Sequence, residues 1–178
     1  MTFRLSLRQS RVLNCFRRVM VVLGGVRTGK SYAAETFAIE RLLKGENVIF
    51  LMSSPPMCRD TFSHIGTVFR NIRELEKRLV INFMNHTIEY DDYTMYFATP
   101  DGDYDSIVMF AKEKPCTLVA DAILDIPQLL CHTSYLENHY GFKFKKILIT
   151  GRHSEFVKEC IKSIDDKIKI FVWKGECL

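Results

Sequence analysis

Apolar residues fall into two textures along this chain. VMVVL (19–23), NVIFLM (47–52), CTLVAD (116–121) and KILIT (146–150) are short continuous runs, the pattern of strands buried on both faces. Between them the spacing changes to three and four. The first eighteen residues read as a lead-in with one short helical stretch, anchored by Leu5, Leu7, Val12 and Leu13. After Ser31 a helix runs to about Lys44 with Ala34, Phe37, Ala38 and Leu42 on one face, and Gly45 is a natural C-terminal cap. Strand, loop, helix and strand in that order make a βαβ unit, so the sheet core is expected to be parallel with right-handed crossovers.

Ser53-Ser54-Pro55-Pro56 breaks the chain, and Phe62, Ile65, Phe69, Ile72, Leu75 and Leu79 then predict one long amphipathic helix. LVINFM (79–84), TIEYD (87–91) and TMYFAT (94–99) are short alternating segments parted by Asn85-His86 and Asp92-Tyr93, which read as an antiparallel meander inserted into the core. Asp101-Gly102 predicts a turn, Ser106 to Ala111 one more strand, and Lys112 to Pro115 the turn after it. A helix is expected from about Pro127 to His139. Ser154 is placed to cap another, with Phe156, Val157, Cys160, Ile161 and Ile164 as its buried face. Lys167 to Trp173 is the last strand. With no repeat, low-complexity tract or linker, residues 1–178 read as a single α/β domain.

Composition narrows the class. Of 178 residues 47% are hydrophobic and 26% charged, a folded rather than a disordered chain. No apolar run approaches the roughly 18–20 residues of a membrane span. Arg4, Arg8, Arg11, Arg17 and Arg18 make the start basic, but no long apolar segment follows, which argues against a secretory signal. Six cysteines contain no C-x-x-C pair, which speaks against a zinc site and for reduced thiols inside a cell. His64, His86, His132, His139 and His153 show no H-x-x-x-H or H-E-x-x-H spacing, and no G-x-S-x-G supports a serine nucleophile. The net charge of +4 is compatible with a polyanionic partner.

The strongest chemical signal is GGVRTGKS (24–31), which satisfies G-x-x-x-x-G-K-[ST] between a strand and a helix. The backbone N–H groups of Gly24, Gly25, Val26, Arg27, Thr28 and Gly29 can wrap a phosphate while the following helix points its positive end at the same anion. Lys30 would reach the β and γ phosphates and Ser31 would give a hydroxyl to Mg²⁺. The chain therefore reads as a nucleotide-binding protein, and its fold as a three-layer P-loop NTPase sandwich with a mostly parallel sheet and an inserted antiparallel β meander.

Several residues could complete that site. Asp121, ending a strand expected to neighbour the phosphate-loop strand, either holds a Mg²⁺-bound water or caps the next helix. Many hydrolytic P-loop ATPases carry a glutamate after this aspartate; here it is Ala122, leaving Asp125, Glu113 or Glu137 as a substitute, weak hydrolysis, or a glutamate removed by engineering. Arg27 either folds over the γ-phosphate, pairs with a neighbouring subunit, or is solvated. Thr150 could sense the γ-phosphate, and Arg152 is a finger, a DNA contact or a surface arginine in a tight turn. Gln9, fifteen residues before Gly24, either contacts an adenine edge or is solvated. Arg59 sits at the same edge. Tyr90, Tyr93, Tyr96 and Phe97 read as core and cross-strand pairs before base-stacking platforms, and Lys143, Lys145 and Lys146 as a solvated basic loop.

Taken in order, GGVRTGKSYA (24–33), IERLLKGENVIFL (39–51), PPMCRDTF (55–62), IEYDDYTMYFATP (88–100), LVADAILDIP (118–127) and ILITGR (147–152) resemble the ATPase core of viral large terminases, the phage DNA-packaging motors. The resemblance covers about residues 9–173 and stops before the nuclease domain that commonly follows in that family. It implies an ATP- and Mg²⁺-dependent translocase of double-stranded DNA, working as a homo-oligomeric ring on a viral portal in the cytoplasm of an infected cell, off the membrane. By position, Lys30, Ser31, Asp121 and Arg27 carry over, and Thr150-Gly151-Arg152 falls on the coupling motif. GGVRTGKS also looks like the cobinamide-kinase group and ILITGR like corrinoid adenosyltransferases. A third alternative is an ATP-binding assembly protein with little turnover, which Ala122 favours.

Overall fold

Runs with no polar face need partners on both sides, and the sheet supplies them. In a computed structural model, which describes residues 5–100 and 104–173, the order is α1 (Leu7–Leu13), β1 (Val19–Gly24), α2 (Lys30–Leu43), β2 (Asn47–Met52) and α3 (Pro55–Arg70). A 3-10 segment (Arg73–Arg78) leads into β3 (Leu79–Asn82), β4 (Thr87–Tyr90) and β5 (Tyr93–Ala98). Then come α4 (Tyr104–Glu113), β6 (Cys116–Ile123), α5 (Ile126–Tyr140), β7 (Ile147–Gly151), α6 (Glu155–Ile164) and β8 (Lys169–Trp173). The strands form one sheet of order β3-β4-β5-β2-β6-β7-β1-β8, parallel from β5 to β8 and antiparallel from β3 to β5.

Strand periodicity divides the core in two. Met20, Val22, Val48 and Phe50 point to one face, under Val12, Phe37, Phe62 and Phe69 of α1, α2 and α3. Val21, Leu23, Ile49 and Leu51 point to the other, against Ile107, Leu129, Leu130 and Ile161 of α4, α5 and α6. The expected three-layer sandwich is what results. The faces of α2, its Gly45 terminus (φ 79°) and the span of β2 are as expected.

Several expectations about element bounds and faces need correction. The long helix stops at Arg70: the Ile72 N–H bonds to the Phe69 carbonyl and the Leu75 N–H to the Ile72 carbonyl, tightening the chain into 3-10 geometry. Leu75 and Leu79 still pack on the same core, but from other elements. Ser106–Ala111 belongs to α4, where Ile107, Val108 and Ala111 are buried and Met109 is exposed, a helical and not an alternating pattern. The meander is antiparallel from β3 to β5 as expected, and it joins the main sheet through β5, which runs parallel to β2 (Val48 opposite Met95, Phe50 opposite Phe97). On α6 only Ile161 is buried, and Phe156 is 77% exposed; Leu7 of α1 is also exposed.

Smaller features follow the sequence reading. Ser154 accepts from the Val157 N–H as a cap. Tyr90 and Phe97 are buried, and the Phe97 ring stacks on Phe50 and meets Phe62 edge-on, which makes these aromatics core. The basic loop is split: Lys143 and Lys145 are exposed, while Lys146 donates to the Cys15 carbonyl (2.7 Å). Asp101-Gly102, Arg4 and Cys177 lie outside the described residues.

Candidate functional site

In a parallel sheet the carboxyl ends of the strands gather the loops, and the crevice opens where the strand order reverses. Here β1 is followed by β2, which lies beyond β7 and β6, so the loops after β1, β2, β6 and β7 converge on one edge. They line a cavity of about 510 Å³ formed by Val26 to Tyr32, Ser53 and Met57, Asp121 to Leu124, and Thr150 to Arg152. Of the residues expected from sequence, Val26, Arg27, Thr28, Gly29, Lys30, Ser31, Asp121, Thr150 and Arg152 meet there. Gly24 and Gly25 do not line the cavity; Gly24 closes β1 beside the Trp173 backbone, and the Gly25 carbonyl accepts from the Lys30 ammonium.

The loop is shaped by backbone that few residues adopt. Gly29 (φ 81°) opens α2 as its N-cap, and Arg27 holds φ 59° beside it. Because α2 begins at Lys30 with no side-chain cap, its first N–H groups stay directed at the cavity mouth. The Lys30 ammonium bonds the Gly25 carbonyl and the Thr28 hydroxyl (3.2 Å to the latter). Burial lowers the Lys30 pKa first and the Arg152 charge lowers it further, opposed by Asp121. Arg152 and Asp121 therefore both act on the same ammonium.

Asp121 stands at the end of β6, which the sequence reading placed beside β1. The structure corrects this: β7 lies between them. The intervening strand gives Thr150 its place. Its hydroxyl donates to Asp121 Oδ1 and accepts from the Ala122 N–H (3.2 Å), and both Asp121 and Thr150 are buried. The aspartate caps no helix; Asp125 caps α5 by accepting from the Gln128 N–H.

Ala122 sits at a register shift in the β6–β7 pairing and has φ 57°, in the left-handed region. A side chain there is strained, so Ala122→Gly should raise unfolding stability by about 1 kcal/mol; denaturant midpoints of the two proteins check it. Gly151, across the bulge, is needed for another reason. A Cβ there would lie 2.5 Å from Ile126 Cδ1 and 2.9 Å from the Ile123 carbonyl oxygen. Gly151→Ala should cost about 1–3 kcal/mol through overpacking, read as a lowered melting temperature.

The carboxylates weighed as substitutes for a glutamate at 122 are engaged elsewhere. Glu113 ends α4 ahead of β6, at the opposite edge of the sheet from Asp121. Glu137 pairs with Arg18 and accepts from the Phe144 N–H, also at that far edge. Gln9 is buried rather than solvated and does not line the cavity. Its Oε1 accepts from the Ser6 N–H (2.8 Å) in a capping box, and its Nε2 donates to the Gly29 carbonyl (3.3 Å). It thus ties α1 to the phosphate loop. Arg59 is exposed on α3 and does not line the cavity. Sequence reasoning missed Glu35, which is half-buried and bonded to His64 Nδ1 at 2.9 Å; its one signal was a position four after Ser31 on α2.

No protein-family profile matches this sequence, and no curated protein matches it. Solved structures do. The HK97 bacteriophage large terminase superposes with a TM-score of 0.71 at 11% identity, over 99% of this chain and 41% of that one. The Thermus phage P74-26 large terminase ATPase domain gives 0.64 at 10% identity, over 96% and 81%. A large terminase from a second thermophilic bacteriophage gives 0.60 at 13%, over 97% and 46%. The chain has the fold of these ATPase domains and spans less than half of the two longer terminase chains.

Proposed function

We propose that this chain is an ATP-binding and ATP-hydrolysing motor domain that drives double-stranded DNA translocation, in the manner of a terminase ATPase. The observation that carries the reading is the convergence of the phosphate loop, Asp121 and Thr150-Gly151-Arg152 on one cavity. The donors suit the ligand: backbone N–H groups at a helix start, an ammonium, a hydroxyl and a buried carboxylate match a nucleoside triphosphate with Mg²⁺. Lys30 and the loop would hold the phosphates, and Ser31 and Asp121 the Mg²⁺, which supplies charge neutralisation at the transferring phosphoryl group. Arg27 and Arg152, both exposed at the cavity, are the candidates for contacting the γ-phosphate or a neighbouring copy. Gln9, bonded to the Ser6 N–H and the Gly29 carbonyl and away from the cavity lining, would act by positioning the phosphate loop.

Duplex DNA, a homo-oligomeric ring and a viral portal are the partners this reading implies, with the infected cell's cytoplasm as its place. No described helix is long and apolar enough to cross a membrane. The resemblance in fold to terminase ATPase domains supports the motor over the small-molecule transferases. Ala122, which leaves the end of β6 without a second carboxylate, favours the reading with slow turnover, and Ala122→Glu tests that. ATP hydrolysis measured with and without duplex DNA at several salt concentrations tests the whole. Stimulation that fades as salt rises is expected from phosphate contacts. No effect of DNA at low salt would move the assignment to a transferase.

A further inference from the structure

We propose that Glu35, oriented by His64, is the second carboxylate of the divalent-cation site and acts through metal-bound water beside Asp121 and Ser31. The inference rests on the nucleotide reading above and adds a residue to it. Ser31 and Glu35 are four apart on α2 and share a face. Helical side chains lean toward the N-terminus, so that of Glu35 lies over the turn that begins at Ser31. The same helix packs across β6, whose far end carries Asp121. Glu35 is only 15% exposed, and its carboxylate is gripped from α3 by His64.

The electrostatics agree. Burial raises the Glu35 pKa first, the Asp121 charge raises it further, and His64 opposes both. Two carboxylates that repel across a partly buried site gain from a divalent cation between them. Among the described residues no three His, Cys, Asp or Glu side chains are grouped to hold a metal ion, and Glu35 does not line the cavity, so the role proposed for it runs through bound water. Mg²⁺ keeps several waters, and a hydrogen-bonded carboxylate that orients them strengthens binding without touching the ion. The arrangement also answers the loss of a carboxylate at Ala122. Glu113, Glu137 and Asp125 are held by Arg18, helix caps or distance, whereas Glu35 shares a face of α2 with Ser31.

The test uses the whole chain with ADP, and Mn²⁺ as the probe, free Mn²⁺ being read by electron paramagnetic resonance. Glu35→Gln should weaken Mn²⁺ binding to the protein–nucleotide complex by about 10–100-fold. Nucleotide affinity in EDTA should be unchanged. His64→Ala should give a smaller loss of the same kind, and Asp121→Asn serves as the control at the direct ligand. Mn²⁺ affinity within about twofold of wild type in Glu35→Gln, with Asp121→Asn impaired, overturns the role of Glu35 and leaves the nucleotide reading standing. Failure of the wild-type protein to bind ADP at all overturns both.

Discussion

Lys30→Ala should lower nucleotide affinity by about 10–100-fold and take turnover below detection, because charge-assisted hydrogen bonds contribute about 1.5–3 kcal/mol each. The ammonium is bonded into the loop itself, to the Gly25 carbonyl and the Thr28 hydroxyl, and Arg152 stands close enough to depress its pKa. Removing it leaves the backbone N–H groups and the start of α2, so weak phosphate binding should survive. Fluorescent-nucleotide titration and a phosphate-release assay read the two effects apart. Unchanged affinity and activity would remove the basis of the site assignment.

Thr150→Val should be the most destabilising isosteric change at the site. Its hydroxyl is a hydrogen-bond donor to the buried Asp121 carboxylate and an acceptor for the Ala122 N–H. Valine fills the same volume but strands a buried charge and a buried donor, at about 3 kcal/mol in unfolding free energy. Thr150→Ser, which keeps the hydroxyl, should recover most of it. Urea denaturation of the three proteins measures this, and a loss in Thr150→Ser equal to that in Thr150→Val would point to packing instead. The same contact recasts Thr150. Before any role in sensing phosphate, it joins β7 to the residue expected to hold Mg²⁺, and sets the bulge at Ala122.

The core of the fold was legible because continuous apolar runs and a phosphate-loop pattern need no partner to be recognised. NVIFLM became β2 with the bounds expected, and the apolar run from Val19 became β1, which takes in Gly24 as well. What spacing could not report was helix continuity. Ile72, Leu75 and Leu79 keep a three-to-four rhythm after α3 ends at Arg70, since Leu75 of the 3-10 segment and Leu79 and Ile81 of β3 pack against the same core. SIVMFA (106–111) is too short and too uniformly apolar to choose between strand and helix. Strand order was likewise beyond reach: local sequence does not say that β7 enters between β1 and β6. For that reason the Thr150–Asp121 contact could come only from tertiary structure, as could the bond from His64 on α3 to Glu35 on α2.

The central claim is that a nucleotide's phosphates lie in the loop between β1 and α2. A crystal structure of the chain with Mg²⁺ and a non-hydrolysable ATP analogue tests it most directly. The β-phosphate should be enclosed by the backbone N–H groups of residues 25–31, with Lys30 turned onto it and Ser31 and Asp121 at the cation. Nucleotide bound elsewhere, or phosphates outside that loop with Lys30 still on Gly25 and Thr28, would contradict it.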